Sequence, residues 1–348
     1  IFKDFKMDQE SFNEPYYKTN SPSPPTHKIL NKYYFVESNL LPYSTYCSYI
    51  YLCTDTRDHQ KKVIKFVKIY KNDIERIINE VTIMGILEHP YIIKLEDHFR
   101  FYMYYCLILP YTPHQSLLWF LRQYYMYGIP EDIAAIFMYQ MLTAINYLHE
   151  LDIVHRDIKP DNFLIFDSSP NNTNNITNIN ENNQQNNDEI HLPRTFRNFP
   201  KVVLTDFGFS TKIISGQKLD KPIGTAEYSA PEIHNNQKYD KSVDIWALGV
   251  SLIVMLSGRF PYPDKKTAKD EFKKRAQNGR LNYQLLKYNS NEVRDLICKM
   301  CQIKPEKRIT AKDALKHPWI LSRKKTPIEE EVTNAILHED DYVFETGL

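Results

Sequence analysis

The sequence predicts an α+β fold of two unequal parts, a small antiparallel-sheet part with one key helix followed by a larger helical part. Three observations predict it. Short β-rich apolar runs fill the stretch from Tyr33 to Leu109, interrupted by a single helical stripe. After Tyr111 the apolar spacing becomes helical and stays so to about Trp319. The chain has 348 residues, 42% of them hydrophobic, enough for two lobes with a sizeable core. The cleft between two such lobes is the natural place for a ligand.

In chain order, residues 1–30 carry Ser21-Pro22-Ser23-Pro24-Pro25 without apolar periodicity and read as a flexible arm. The small lobe is expected over residues 31–111. Its strand-like runs are Tyr33 to Leu52, Val63 to Ile69, Ile92 to Phe99 and Tyr105 to Leu109. Asn72-Asp73 can cap a helix from Ile74 to Leu87, with Ile77, Val81, Met84 and Leu87 on one stripe.

The large lobe is expected over residues 112–320. Pro130-Glu131-Asp132 opens a helix through Leu148, with Ala134, Phe137, Met141, Ala144 and Leu148 at helical spacing. The longest apolar run, Ile245 to Leu256, is too short for a bilayer and reads as a buried core helix. From Asn171 to Asn187, ten of seventeen residues are Asn and two are Gln, a composition that buries no core. An insertion over about residues 168–198, disordered on this reading, therefore joins the strands Leu164-Ile165-Phe166 and Val202-Val203-Leu204, at modest loop-closure cost. Two glycosylation-type triplets inside it read as chance. Residues 321–348, with Glu329-Glu330-Glu331 and Glu339-Asp340-Asp341, form an acidic tail.

A net charge of +1 supplies no bulk field that would recruit nucleic acid or a membrane, so neither partner is expected. Five cysteines are sparse and odd in number, which points to a reducing, intracellular and cytoplasmic setting. Phe2 to Ser23 is polar and proline-containing and does not read as a secretory signal. Cys298 and Cys301 lie in the helical pattern around Val293 to Met300 and read as a structural pair on a core face. The basic run from Lys265 to Arg280 reads as a solvated helix face.

The chemistry is concentrated in His155-Arg156-Asp157-Ile158-Lys159-Pro160-Asp161-Asn162, followed by Asp206-Phe207-Gly208. Phosphoryl transfer from Mg-ATP needs one carboxylate to orient a hydroxyl, a second carboxylate and an amide oxygen to hold magnesium, and a cation beside the moving phosphate. An Asp alone is more often a turn residue or cap. The set at this spacing, joined by Glu80 in Asn79-Glu80-Val81, by His89-Pro90-Tyr91 and by Ala230-Pro231-Glu232, resembles the eukaryotic protein kinase family from about Tyr33 to Ile320. Gly258-Arg259-Phe260-Pro261-Tyr262 and His317-Pro318-Trp319-Ile320 are most similar to the calcium/calmodulin-dependent and AMP-activated kinase group.

The resemblance implies a two-lobed kinase fold, ATP and Mg2+ as ligands, and a Ser or Thr hydroxyl of a protein substrate as acceptor. It implies that Asp157 orients the hydroxyl, Lys159 contacts the phosphate, Asn162 and Asp206 hold magnesium, and Thr225 bonds near Asp157 and Lys159. Lys65 is taken as the phosphate-pairing lysine because it lies fifteen residues after Ile50 (65 − 50 = 15), with Lys68 as runner-up and Lys62 left in solvent. Glu80 would pair with it. Pro42, Ile50, Val63, Leu109, Pro110, Thr112, Ser116 and Leu164 would enclose the nucleotide, with Leu109 as gatekeeper and Ser116 at the ribose. Met84, Leu95, His155 and Phe207 would stack into a column between the lobes. Asp244 would pin the catalytic loop, and Glu232 would pair with Arg308.

Two positions depart from the family. The first glycine in the chain is Gly85, so Tyr43, Thr45 and Ser48 stand where the family keeps loop glycines that approach the phosphates. This opens an alternative, a pseudokinase that scaffolds or binds nucleotide without transfer. Lys221 stands three residues before Gly224, where relatives often carry a phosphorylated Thr, so activity is expected not to depend on phosphorylation there; Thr211 and Ser215 remain elsewhere in the loop.

Overall fold

Strand alternation and helical stripes assemble as follows in the computed structural model, which describes residues 24, 26–39, 48–70, 74–166, 200–214 and 216–323. The Asn-rich insertion, the acidic tail beyond Arg323, the Asn72-Asp73 cap, Ser215 and most of the N-terminal arm lie outside these residues, as do Pro42, Tyr43 and Thr45.

Six strands form one antiparallel sheet in the order β1-β2-β3-β4-β6-β5: β1 (Lys28–Leu30), β2 (Tyr34–Asn39), β3 (Ser48–Asp55), β4 (Lys61–Lys68), β5 (Asp97–Phe101) and β6 (Tyr104–Pro110). The strand β1 corrects the expected arm, whose last three residues pair with Val36, Phe35 and Tyr34. Ile92 to Phe99 is also corrected. Ile93 donates to the Leu204 carbonyl and Leu204 to that of Tyr91, at 2.9 Å each, which draws this segment to the other lobe; the strand begins at Asp97.

Alternation along β4 decides which side chains face which core. Ile64 and Phe66 join Tyr51, Cys53, Cys106 and Ile108 in one cluster. On the opposite face Val67 packs with Ile77 and Val81 of helix α1 (Ile74–Ile86). Lys65 shares the face of Val63 and Val67, whereas Lys68 shares that of Ile64 and Phe66.

The second lobe comprises α2 (Leu117–Tyr124), α3 (Glu131–Glu150), α4 (Pro231–His234), α5 (Ser242–Ser257), α6 (Lys269–Gln277), α7 (Asn291–Met300), α8 (Ala311–Ala314) and α9 (Pro318–Arg323). Two hairpin-like pairs cross its upper face, β8 (Phe163–Phe166) with β9 (Lys201–Leu204), and β7 (Ile153–Val154) with β10 (Thr211–Lys212). Helix α5 is buried on every side from Val243 to Leu256, which explains its long, mostly apolar run. Gly258 ends it at φ +66°, where a Cβ would lie 2.1 Å from the Met126 carbonyl oxygen. Among the described residues no helix is long and apolar enough to cross a membrane.

Glu232 and Arg308 form a buried, two-pronged ion pair at 2.5 and 2.7 Å. The cysteine expectation is half corrected. Cys301, just past the end of α7, is buried with its Sγ against Gly249, whereas Cys298 points into solvent. One faces the core because their spacing of three straddles the helix end.

Candidate active site

The loop after β7 is shaped from below by a buried carboxylate. Asp244, in the first turn of α5, accepts from the backbone N–H groups of His155 and Arg156 at 3.0 and 2.9 Å and bonds the His149 ring at 3.0 Å. Burial alone would raise this carboxyl, but the His149 bond and charge bring it below the usual carboxylate range. The N–H bonds hold Arg156 at φ +69°, a backbone shape uncommon for a side-chain-bearing residue. His155 is fully buried, accepts at Nδ1 from the Asp157 N–H (3.3 Å) and donates from Nε2 to the Thr205 carbonyl (3.3 Å). Burial pushes its pKa down, in keeping with a neutral ring.

Asp157 comes out of this loop with both oxygens engaged. Oδ1 accepts from the Thr225 N–H at 2.9 Å and from the Thr225 hydroxyl at 2.6 Å. Oδ2 meets Lys159 Nζ at 2.8 Å and Asn162 Nδ2 at 3.0 Å. Lys159 also donates to the Thr225 hydroxyl oxygen at 2.7 Å. Gly224 allows this approach: its φ is +112°, and a Cβ there would stand 2.3 Å from the Arg156 carbonyl oxygen.

Across the cleft, Lys65 Nζ lies 2.9 Å from Glu80 Oε1 and 3.0 Å from Asp206 Oδ1. Burial opposes the ammonium, but Asp206 and Glu80 outweigh it and its pKa ends above the ordinary lysine value. Asp206 is held down to about 2, chiefly by the Lys65 charge, and sits at φ +65°. The choice between Lys65 and Lys68 follows from strand parity, and Glu80 lies on the buried face of α1. Lys62, expected in solvent, instead pairs with Glu96 at 2.8 Å and is 12% exposed.

Val63 and Leu109 are register partners, as are Ile50 and Lys65, so Ile50, Val63, Lys65 and Leu109 share one face of the sheet. Leu164 packs against the same core from below. Pro110 ends β6, the Thr112 hydroxyl donates to the Ile165 carbonyl at 2.6 Å, and the Ser116 hydroxyl caps α2 by accepting from Trp119 N–H at 3.3 Å. Met84, Phe207 and partly buried Leu95 belong to the core between the lobes, and the rings of Phe207 and His155 meet edge-on at 5.1 Å. Pro42 lies outside the described residues, so the site is seen here without it.

The donor set suits a hard cation. Lys65 engages Oδ1 of Asp206 and leaves Oδ2; Asn162 uses its Nδ2 and leaves its amide oxygen. Among the described residues no three His, Cys, Asp or Glu side chains form a metal cluster of their own. A cation here would complete its shell with water and phosphate oxygens, as magnesium does. Beyond Lys159 and Thr225 a cavity of about 410 Å³ opens, lined also by Asp161, Glu227, Tyr228 and Phe260.

Three contributors escaped sequence reasoning. His149 supports Asp244; Asn79 ties α1 to the Ser210 carbonyl at 2.7 Å; and Tyr239 donates to the Lys221 carbonyl at 2.6 Å. Asn79 adjoins Glu80 and was within reach; the other two carry no local signal.

The two lobes and the groups gathered between them define the class. Residues 46–320 match the model of the protein kinase domain, and the chain belongs to that family. It is 32% identical over 265 residues to a protein named probable myosin light chain kinase from Dictyostelium discoideum, covering 76% of this chain and 47% of that protein. It is 30% identical to serine/threonine-protein kinase D2 of Rattus norvegicus, covering 76% of this chain and 27% of the relative. It is also 30% identical to an Aurora kinase of Yarrowia lipolytica, covering 80% and 66%. The chain thus spans less than two thirds of the length of each of these relatives.

Proposed function

We propose that this chain is a protein serine/threonine kinase that transfers the γ-phosphoryl group of ATP to a Ser or Thr hydroxyl of a protein. The observation that carries the reading is the juxtaposition of Lys65, Glu80 and Asp206 on one wall of the cleft with Asp157, Lys159, Asn162 and Thr225 on the other. A scaffold has no need of seven chemically matched groups gathered into two such bonded clusters. The family and the Ser/Thr kinases among its relatives add support.

In this reading Asp157 accepts the hydroxyl proton as the acceptor oxygen bonds to the γ-phosphorus and the bond to the bridging oxygen breaks, leaving ADP. The bonds from Thr225 and Asn162 aim the carboxylate before substrate arrives. Lys159 places a positive charge beside the transferring group, and Lys65, oriented by Glu80, another beside the remaining phosphates. Magnesium, held by Asn162 and Asp206, would supply charge neutralisation at the phosphate oxygens. Val63, Leu109, Ile50 and Leu164 would sandwich the purine; the Pro110 carbonyl and Thr112 N–H would bond its edge, with Ser116 at the ribose. The cavity beside Thr225 would admit the acceptor segment. The intracellular, cytoplasmic setting rests on the sparse cysteines.

The test is thermal stability with and without Mg-ATP, in wild type and in Asp206→Ala, alongside phosphate transfer to a general protein acceptor. Ligand at about a hundredfold over its Kd adds roughly 2.7 kcal/mol. A metal-dependent upshift lost in Asp206→Ala, with Ser/Thr labelling, is expected. No shift at millimolar nucleotide and no transfer would overturn the proposal and leave the scaffold reading.

A further inference from the structure

Thr225 reaches Asp157 only if the chain from β10 to Gly224 is held against the second lobe, and the contacts that hold it converge on Tyr239-Asp240. Leu219 and Tyr239 exchange two backbone hydrogen bonds at 2.7 and 2.9 Å. The Tyr239 ring is 1% exposed, inside the main core, and its hydroxyl donates to the Lys221 carbonyl. Lys218 forms an ion pair with Asp240, whose other oxygen accepts from the Ser242 N–H at 2.9 Å at the start of α5. In the first turn of that helix is Asp244, which holds the backbone of His155 and Arg156. The contacts close a circuit: Asp157 to Thr225, back along the segment to Lys221 and Lys218, across to Tyr239 and Asp240, and through Asp244 to the loop that carries Asp157.

We infer that the Tyr239 hydroxyl and the Lys218–Asp240 pair are positioning groups for the transfer reaction. They hold residues 218–225 so that Thr225 aims the Asp157 carboxylate without an added phosphate. The inference rests on the kinase reading above. Each component of the circuit is a side chain or a backbone group of the chain itself. The Arg156 guanidinium, one candidate to receive a phosphate, is turned to the Phe209 carbonyl, with its Nε donating at 2.6 Å. An exposed ion pair alone holds little, so most of the positioning comes from the buried tyrosine.

The experiment uses full-length protein treated with phosphatase and compares wild type, Tyr239→Phe, Lys218→Glu, Lys218→Arg and Lys221→Ala. Phosphate transfer, KM for ATP, Mg-ATP thermal upshift and exchange of the Thr225 N–H are measured. Phosphatase-treated wild type should keep its activity. Tyr239→Phe keeps the ring in place and should lower kcat roughly fivefold, with KM for ATP and the nucleotide upshift unchanged and Thr225 exchange accelerated. Lys218→Glu should act in the same direction, Lys218→Arg should restore wild-type kcat, and Lys221→Ala, which keeps the carbonyl, should behave as wild type. Equal kcat and exchange in Tyr239→Phe and wild type would overturn the inference, as would loss of wild-type activity on phosphatase treatment. Absence of transfer and upshift in wild type would instead sink the kinase reading, while Thr225 exchange still reports on the circuit.

Discussion

Asp157 offers its carboxylate to three partners at once, so its geometry and its basicity can be separated by substitution. Asp157→Asn keeps the size of the group and removes the proton acceptor. Phosphate transfer should fall by at least about a hundredfold, while the Mg-ATP thermal upshift persists, because Asn162 and Asp206 remain. Radiolabel transfer and a melting scan on the same sample check this. At the same scale, His89 is driven down to about 4 by burial. Its unfolded value is near 6.5, so below that pH the unfolded chain takes up a proton that the folded one refuses. The stability His89 contributes is present above about pH 6.5 and is lost as pH falls towards 4. The melting temperature should decline across that window, and the decline should be shallower in His89→Gln.

At the scale of elements, the start of α2 lets a structural role be separated from a ligand-binding one. The Ser116 hydroxyl caps the helix at the Trp119 N–H. Ser116→Ala should cost about 1 kcal/mol, read as a lower urea midpoint, and Ser116→Asp should retain the cap. If Ser116 also meets the ribose, Ala weakens nucleotide affinity beyond that stability loss. Much of the element order was legible, because strand and helix periodicities are local properties. Ile77, Val81 and Met84 mark the buried stripe of α1, and the long apolar run from Ile245 to Leu256 marks α5. What was misjudged lay at element ends. Lys28–Leu30 becomes a strand because β2 offers it an edge, Ile92 and Ile93 leave the sheet because Leu204 of the other lobe pairs with their segment, and Cys298 and Cys301 part company where α7 stops.

At the scale of the molecule, the Glu232–Arg308 pair joins the segment after Gly224 to the chain between α7 and α8 and lies under the Trp246 ring, 5.1 Å from the guanidinium. Arg308→Met strands a buried carboxylate and should cost about 3–5 kcal/mol; adding Glu232→Leu should recover much of it. Chemical denaturation of the two variants checks the order.

The sequence by itself determined the class of chemistry. Asp157, Lys159, Asn162 and Asp206 sit in short motifs that resemble those of protein kinases, Lys65 follows from its place fifteen residues after Ile50, and Glu80 from the resemblance carried by Asn79-Glu80-Val81. It also showed the absence of glycine before Gly85. Tertiary structure alone decided that Lys65 meets Asp206, 141 residues away, that His149 buttresses Asp244, and that Tyr239 reaches back to Lys221. The physical reason is range. Periodicity and motif spacing encode contacts within a turn or a strand, whereas a hydrogen bond between distant segments depends on how two lobes pack, and packing is a property of the whole chain.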